Sequence, residues 1–143
     1  MTQPGPDLSS PASTASARGR ILAERYRLEG AVGGGGVGKG WRAGHGTPGA
    51  PLAVKVVEVA GMNADRLRDR FLREARVAAA IRHRNVVHIL DFGTSSDGVP
   101  FMAMELLEGE TLATRMTREP PMTVGETVRV IARLLSGLGA VHD

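Results

Sequence analysis

Residues 33–40 read Gly-Gly-Gly-Gly-Val-Gly-Lys-Gly, six glycines in eight positions. Glycine loses more backbone freedom on ordering than any other residue, so such a run persists as a flexible linker or as a loop whose tight path excludes a Cβ. The flanks favour the second. Tyr26–Glu29 alternates like a strand and leads into the run, and a short strand around Lys39–Ala43 leads out. Gly44, Gly46, Pro48 and Gly49 form a turn signal, and Leu52–Val59 (LAVKVVEV) is the strongest strand pattern in the chain. The expected opening unit is strand, glycine loop, strand, turn, strand: an antiparallel meander.

The glycine run divides in two ways. Read as G-x-x-x-x-G-K it is Walker-like, with Lys39 reaching the outer phosphates. That loop needs Ser or Thr next, where Gly40 stands, and it must open a helix, whereas Trp41-Arg42-Ala43 runs on into glycine and proline. Read as G-x-G-x-x-G, Gly33, Gly35 and Gly38 lie between two strands and fold the backbone over nucleotide phosphates. Seventeen residues after Gly38, Lys55 sits inside the apolar strand Leu52-Ala53-Val54-Lys55. A lysine buried in a strand needs an anion, because an unpaired buried charge is very costly. Glu74, on the following helix between Phe71 and Ala78, is the expected partner on the core-facing side.

That helix is expected from Asn63, which can cap it, through Asp65 in the first turn and Leu67, Phe71, Ala75, Ala78 and Ile81 at helical spacing. Val86–Phe92 and Val99–Met104 read as two more strands joined through Ser95-Ser96-Asp97-Gly98. Thr111–Met116 suits a short helix stopped at Pro120-Pro121. Thr123-Val124-Gly125-Glu126 is a capping box opening a last helix with Val128, Ile131, Leu135, Leu138 and His142 on one face.

Composition narrows the remaining classes. The 143 residues suit one domain or the larger part of one, and 42% hydrophobic content suffices for a core. Aromatics at 3% make that core mainly aliphatic. With no cysteine there is neither a disulfide framework nor a thiolate metal site, and His45 and His88 are read as having no partners for a metal site. No apolar run approaches the ~20 residues of a membrane helix, and residues 1–20 are a Pro/Ser/Ala/Thr tail without a signal-peptide core, so a cytoplasmic location is expected. The net charge of +3 comes from sixteen Arg and two Lys. The densest stretch, Asp65–Arg84, has Phe71 on its apolar spacing and no stacking aromatics interleaved with its arginines, so it reads as a solvated helix face rather than a nucleic-acid footprint.

The glycine loop, Lys55 and Glu74, in that order, resemble the N-terminal lobe of bacterial eukaryotic-type (Hanks-type) Ser/Thr protein kinases. The resemblance runs from about Arg25 onward. His83-Arg84-Asn85-Val86-Val87 is similar to that family's H-P-N-I-V segment. Met102–Gly109 (MAMELLEG) looks like its fifth strand and hinge, with Met104 as gatekeeper. The resemblance implies an α+β fold: a five-stranded antiparallel sheet with one helix across it, ending in the hinge (residues 21–107), then the first two helices of a C-terminal lobe (residues 108–143). It implies ATP as ligand, with adenine bonded to the backbone of Glu105 and Leu107 against Ala53. Lys55 would then hold the α- and β-phosphates while Glu74 fixes Lys55.

Three departures matter. The family's strand-two Val is Gly40 here, so nucleotide binding is expected to be weaker than usual. Asp91-Phe92-Gly93 spells the magnesium-binding D-F-G but precedes the hinge, so it reads as a strand exit. Val141-His142-Asp143 imitates H-R-D, yet the family's catalytic loop would start some five to eight residues later, counted from the pattern of that motif. No catalytic residue is therefore expected within the chain, Mg2+ is expected only in a longer enzyme, and the 143 residues are expected to read as a truncated kinase that phosphorylates nothing. The apolar face of the last helix is expected to self-associate or meet a partner. A stand-alone pseudokinase-like binding module and, further off, a P-loop NTPase are the alternatives.

Overall fold

The computed structural model describes residues 18–34, 39–45, 49–57 and 61–142. Residues 1–17 of the expected tail, and Gly35 and Gly38 of the glycine loop, lie outside the described residues. The strands are β1 (Ile21–Leu22), β2 (Tyr26–Gly34), β3 (Lys39–His45), β4 (Leu52–Val56), β5 (Ile89–Thr94) and β6 (Pro100–Glu105). The helices are α1 (Ala64–Ala80), α2 (Leu112–Thr117) and α3 (Val124–His142). One six-stranded sheet runs β1-β2-β3-β4-β6-β5 with every pairing antiparallel. The sixth strand, beyond the five expected, is the two-residue β1. Its pairing of Ile21 with Arg27 and Leu22 with Tyr26 folds back through Ala23 and Glu24, both at positive φ, a reversal with no glycine to announce it.

Alternation decides the faces. In β3 Trp41 and Ala43 are buried, in β4 Val54 and Val56, in β6 Phe101 and Ala103. These join Leu22, Tyr26 and Leu28 in one core on a single face of the sheet. The period of two sends Gly40, Ala53, Lys55, Met102 and Met104 to the other face. Four of the five aromatic residues, Tyr26, Trp41, Phe71 and Phe101, are buried, so the scarce aromatics concentrate where each removes the most surface from water.

Helix α1 spans the expected segment, burying Phe71 and Ala75. Asn63 is its N-cap residue but makes no side-chain cap bond, because its backbone sits at φ −108°, ψ 10°, outside the extended geometry that aims a cap oxygen inward. At α2 the cap is made by Thr111, whose hydroxyl accepts from the Thr114 N–H at 3.1 Å. The capping box before α3 forms as expected. Glu126 Oε2 accepts from the Thr123 N–H at 2.8 Å, and Thr123 Oγ1 accepts from the Glu126 N–H at 3.2 Å. The Thr123 N–H, then the Thr123 hydroxyl, which also donates to Glu126 Oε2 at 3.0 Å, with Arg115 nearby, hold the Glu126 carboxyl below its ordinary pKa.

Gly137 is the buried residue of α3. Val128, Ile131, Leu134, Leu135, Leu138 and Val141 are all exposed. Toward the sheet, α3 meets the segment after α1: Gly137 lies on the Asn85 backbone, and Ser136 Oγ is 3.2 Å from His83 Nε2.

Candidate functional site

The sheet brings most of the expected site into one transverse row. Gly33 of β2 pairs with Gly40 of β3, Gly40 with Lys55 of β4, and Lys55 with Met102 of β6. One step along, Ala53 lies opposite Met104. Cross-strand partners share a face, so Gly40, Ala53, Lys55, Met102 and Met104 line the wall away from the core. Two glycines at one end of the row leave the backbone bare where a Cβ would otherwise stand.

Lys55 is half-buried and forms no ion pair among the described residues. Glu74 does not take the core-facing place expected from its neighbours. Its side chain is 62% exposed, and its Oε1 accepts from Arg70 Nε at 2.9 Å, a pair that also raises the Arg70 pKa. The cause is helical geometry: Phe71 and Ala75 occupy the inward stripe, while Arg70, one turn before Glu74, captures the carboxylate in water. A recess of about 720 Å³ along α1, lined by Arg66, Leu67, Arg70, Arg73 and Glu74, includes none of the strand residues. Sequence spacing placed Lys55 and Glu74 in the right order but could not see that Arg70 competes for the acid.

The hinge is anchored by a pair of bonds that the sequence did not reveal. The Glu105 N–H donates to the His88 carbonyl at 3.2 Å, and Glu105 Oε1 accepts from the His88 N–H at 2.8 Å. The hinge strand is thereby tied to the entry of β5. Leu107 follows, exposed, and its N–H has no acceptor among the described residues. The groups present fit an adenine nucleotide: a free hinge donor at Leu107, small Ala53 facing Met104, a lysine ammonium without an anion, and a glycine-lined end. They do not fit a magnesium site. No cluster of three His, Asp or Glu exists among the described residues. Asp91 of the D-F-G look-alike is held within β5, accepting from the Tyr26 hydroxyl at 2.7 Å and lying 3.3 Å from Arg25 Nη1.

This Tyr26–Asp91 contact was also missed, although an acid inside Ile89-Leu90-Asp91-Phe92 was a signal that something must pair with it. Burial, then the bond to Asp91, raise the Tyr26 phenol from 10.0 to about 12. The unfolded phenol therefore ionises first. Below pH 10 the contribution to stability is complete, and it fades as pH rises through 12, because the folded state then holds the extra proton. At 1.36 kcal/mol per pKa unit the loss is at most about 2–3 kcal/mol, and solvent screening makes it smaller. Tyr26 is the only tyrosine, so ultraviolet titration of the phenolate reads this group alone. A midpoint well above 10.0 with the fold intact is the expected result; an ordinary midpoint refutes the buried bond.

A curled antiparallel sheet with a helix against β5 and β6, a glycine-bearing strand pair at one end of a lysine row and an anchored hinge at the other, defines the smaller lobe of a kinase-type fold. The chain belongs to the protein kinase domain family, which it matches over residues 26–143. It is 36% identical over 124 residues to the serine/threonine-protein kinase pkn3 of Myxococcus xanthus, covering 87% of this chain and 23% of that protein. It is 29% identical over 126 residues to the probable serine/threonine-protein kinase PknB of Corynebacterium glutamicum, covering 86% and 20%. Among solved structures it resembles the Mycobacterium tuberculosis PknI kinase domain, with a TM-score of 0.73 at 30% identity over 88% of this chain and 50% of that one. The chain thus spans about a quarter or less of these curated relatives and half of the solved kinase domain. No helix among the described residues is long and apolar enough to cross a membrane.

Proposed function

We propose that these residues are the ATP-holding part of a Ser/Thr protein kinase that transfers the γ-phosphate of ATP to protein hydroxyls. The observation that carries the reading is the Gly33–Gly40–Lys55 row, continuous with the Ala53–Met104 pair and the anchored hinge. In this reading the backbone of Glu105 and Leu107 takes the adenine edge. Ala53 and Met104 bound the ring. Gly33, with Gly35 and Gly38, passes over the phosphates, and Lys55 neutralises the α- and β-phosphates. ATP supplies the transferable phosphoryl group. Glu74 fixes Lys55 only after leaving Arg70, which calls for a turn of α1 about its axis.

Residues 21–107 act as the nucleotide lobe and residues 108–143 begin the second lobe. These 143 residues hold a nucleotide without transferring its phosphate, since no described side chain is placed to orient an acceptor hydroxyl or to gather magnesium. The exposed apolar face of α3 supports a covering surface, supplied by further kinase sequence or, in the isolated chain, by self-association.

Calorimetric titration with ATP tests the reading. Saturable binding is expected, and its absence would refute the nucleotide site. Lys39→Met should leave the affinity unchanged, which separates this reading from the Walker-like one. Gly40→Val should tighten binding by about fivefold or more, since burying a Val-sized group against the ring is worth roughly 1–3 kcal/mol. An unchanged affinity there would show that Gly40 does not face the nucleotide.

A further inference from the structure

Strand β2 leads into the glycine run and β6 leads into the hinge, yet the two are not neighbours. The order β2-β3-β4-β6-β5 puts four steps between β2 and β5, about 19 Å in a flat sheet at ~4.8 Å per step. Nevertheless Tyr26 of β2 donates to Asp91 of β5 at 2.7 Å, and its ring lies 5.7 Å from that of Phe101 on β6. Arg25 Nη1 is 3.3 Å from the same carboxylate oxygen, and Arg20 pairs with Asp97 in the β5–β6 turn. The sheet therefore curls until its two sides meet through side chains.

Asp91 stands opposite Ala103, one residue before Met104 and two before Glu105. The ladder joining β2 to β3 has register shifts between Leu28 and Gly30 and between Ala31 and Gly33. Bulged ladders bend and twist more readily than regular ones. Without the Tyr26–Asp91 bond, β2 has more freedom to move relative to β3 and the hinge strands.

We propose that Tyr26 and Asp91 are positioning residues forming a clasp that sets the distance between the strand entering the glycine run and the strands entering the hinge. The clasp fixes the opening of the nucleotide site, and in this respect it rests on the nucleotide-site reading above. It touches no nucleotide itself.

Tyr26→Phe removes the hydroxyl and keeps the buried ring, and Asp91 retains Arg25, so the fold survives the test. Hydrogen exchange should accelerate about tenfold at the β2 amides of Leu28–Val32 and stay unchanged at Val54 and Val56 of β4, as expected for loss of one bond to a charged acceptor. ATP affinity should fall several-fold in parallel. Asp91→Asn, whose amide oxygen still accepts, should show a smaller effect, and the double variant should resemble Tyr26→Phe alone. Equal acceleration at β2 and β4 would mean general destabilisation and would overturn the clasp, as would no change at β2. Faster β2 exchange with unchanged ATP affinity would overturn its positioning role. If the unsubstituted chain binds no ATP, the nucleotide-site reading fails, while the exchange comparison still decides the clasp.

Discussion

Lys55→Met should reduce ATP affinity by roughly 10- to 150-fold, since a charge-assisted bond to phosphate is worth about 1.5–3 kcal/mol. It should do so without unfolding the chain. Lys55 forms no ion pair among the described residues, so its removal orphans no acid. Methionine matches the lysine stem in a strand flanked by Val54 and Val56. Calorimetric titration with ATP, paired with a thermal melt, separates lost binding from lost structure. An unaltered ATP affinity would remove Lys55 from the phosphate site and with it the order of glycine run, lysine and acid on which the assignment stands. Lys39→Met supplies the internal comparison, because both lysines lie near the glycine run and only Lys55 lies in the row with Gly33 and Gly40.

Gly137→Ala is the largest expected structural change. A Cβ at this position would stand 2.9 Å from the Asn85 carbonyl oxygen and 3.4 Å from its Cβ. The nearer obstacle is backbone, which cannot swing aside as a flexible side chain can. Overpacking of this kind costs about 1–3 kcal/mol. The rest of α3 presents an exposed face, so the helix should yield rather than the sheet. The expected result is loss of amide protection across Val128–Ala140, loss of the Ser136–His83 contact, and undiminished protection in β3 and β4. Retained α3 protection in the variant would show that Gly137 does not govern docking.

Much of this architecture was legible because it rests on local rules. The alternation in Leu52–Val56, the 3.6-residue spacing of Phe71, Ala75 and Ala78, and the Thr123–Glu126 box each encode an element whose bonds are made within a few residues. Strand ends were less legible. The strand expected over Val86–Phe92 forms at Ile89–Thr94, because His88 is committed to Glu105 seventeen residues away. The two-residue β1 carries no periodic signal, since two residues cannot show a period.

The chain's order of glycine run, Lys55, Glu74 and hinge determined, by itself, the family and the face of each strand, because spacing and alternation are properties of one covalent chain. Only the tertiary structure decided which charges meet. Lys55 and Glu74 are not paired, Arg70 holds the acid, and Asp91, which spells a metal motif in sequence, instead receives the Tyr26 hydroxyl across the curled sheet. Those outcomes depend on how far the sheet curls and how α1 is rotated upon it. Both are set by many weak packing contacts summed over distant residues, and no local spacing records that sum.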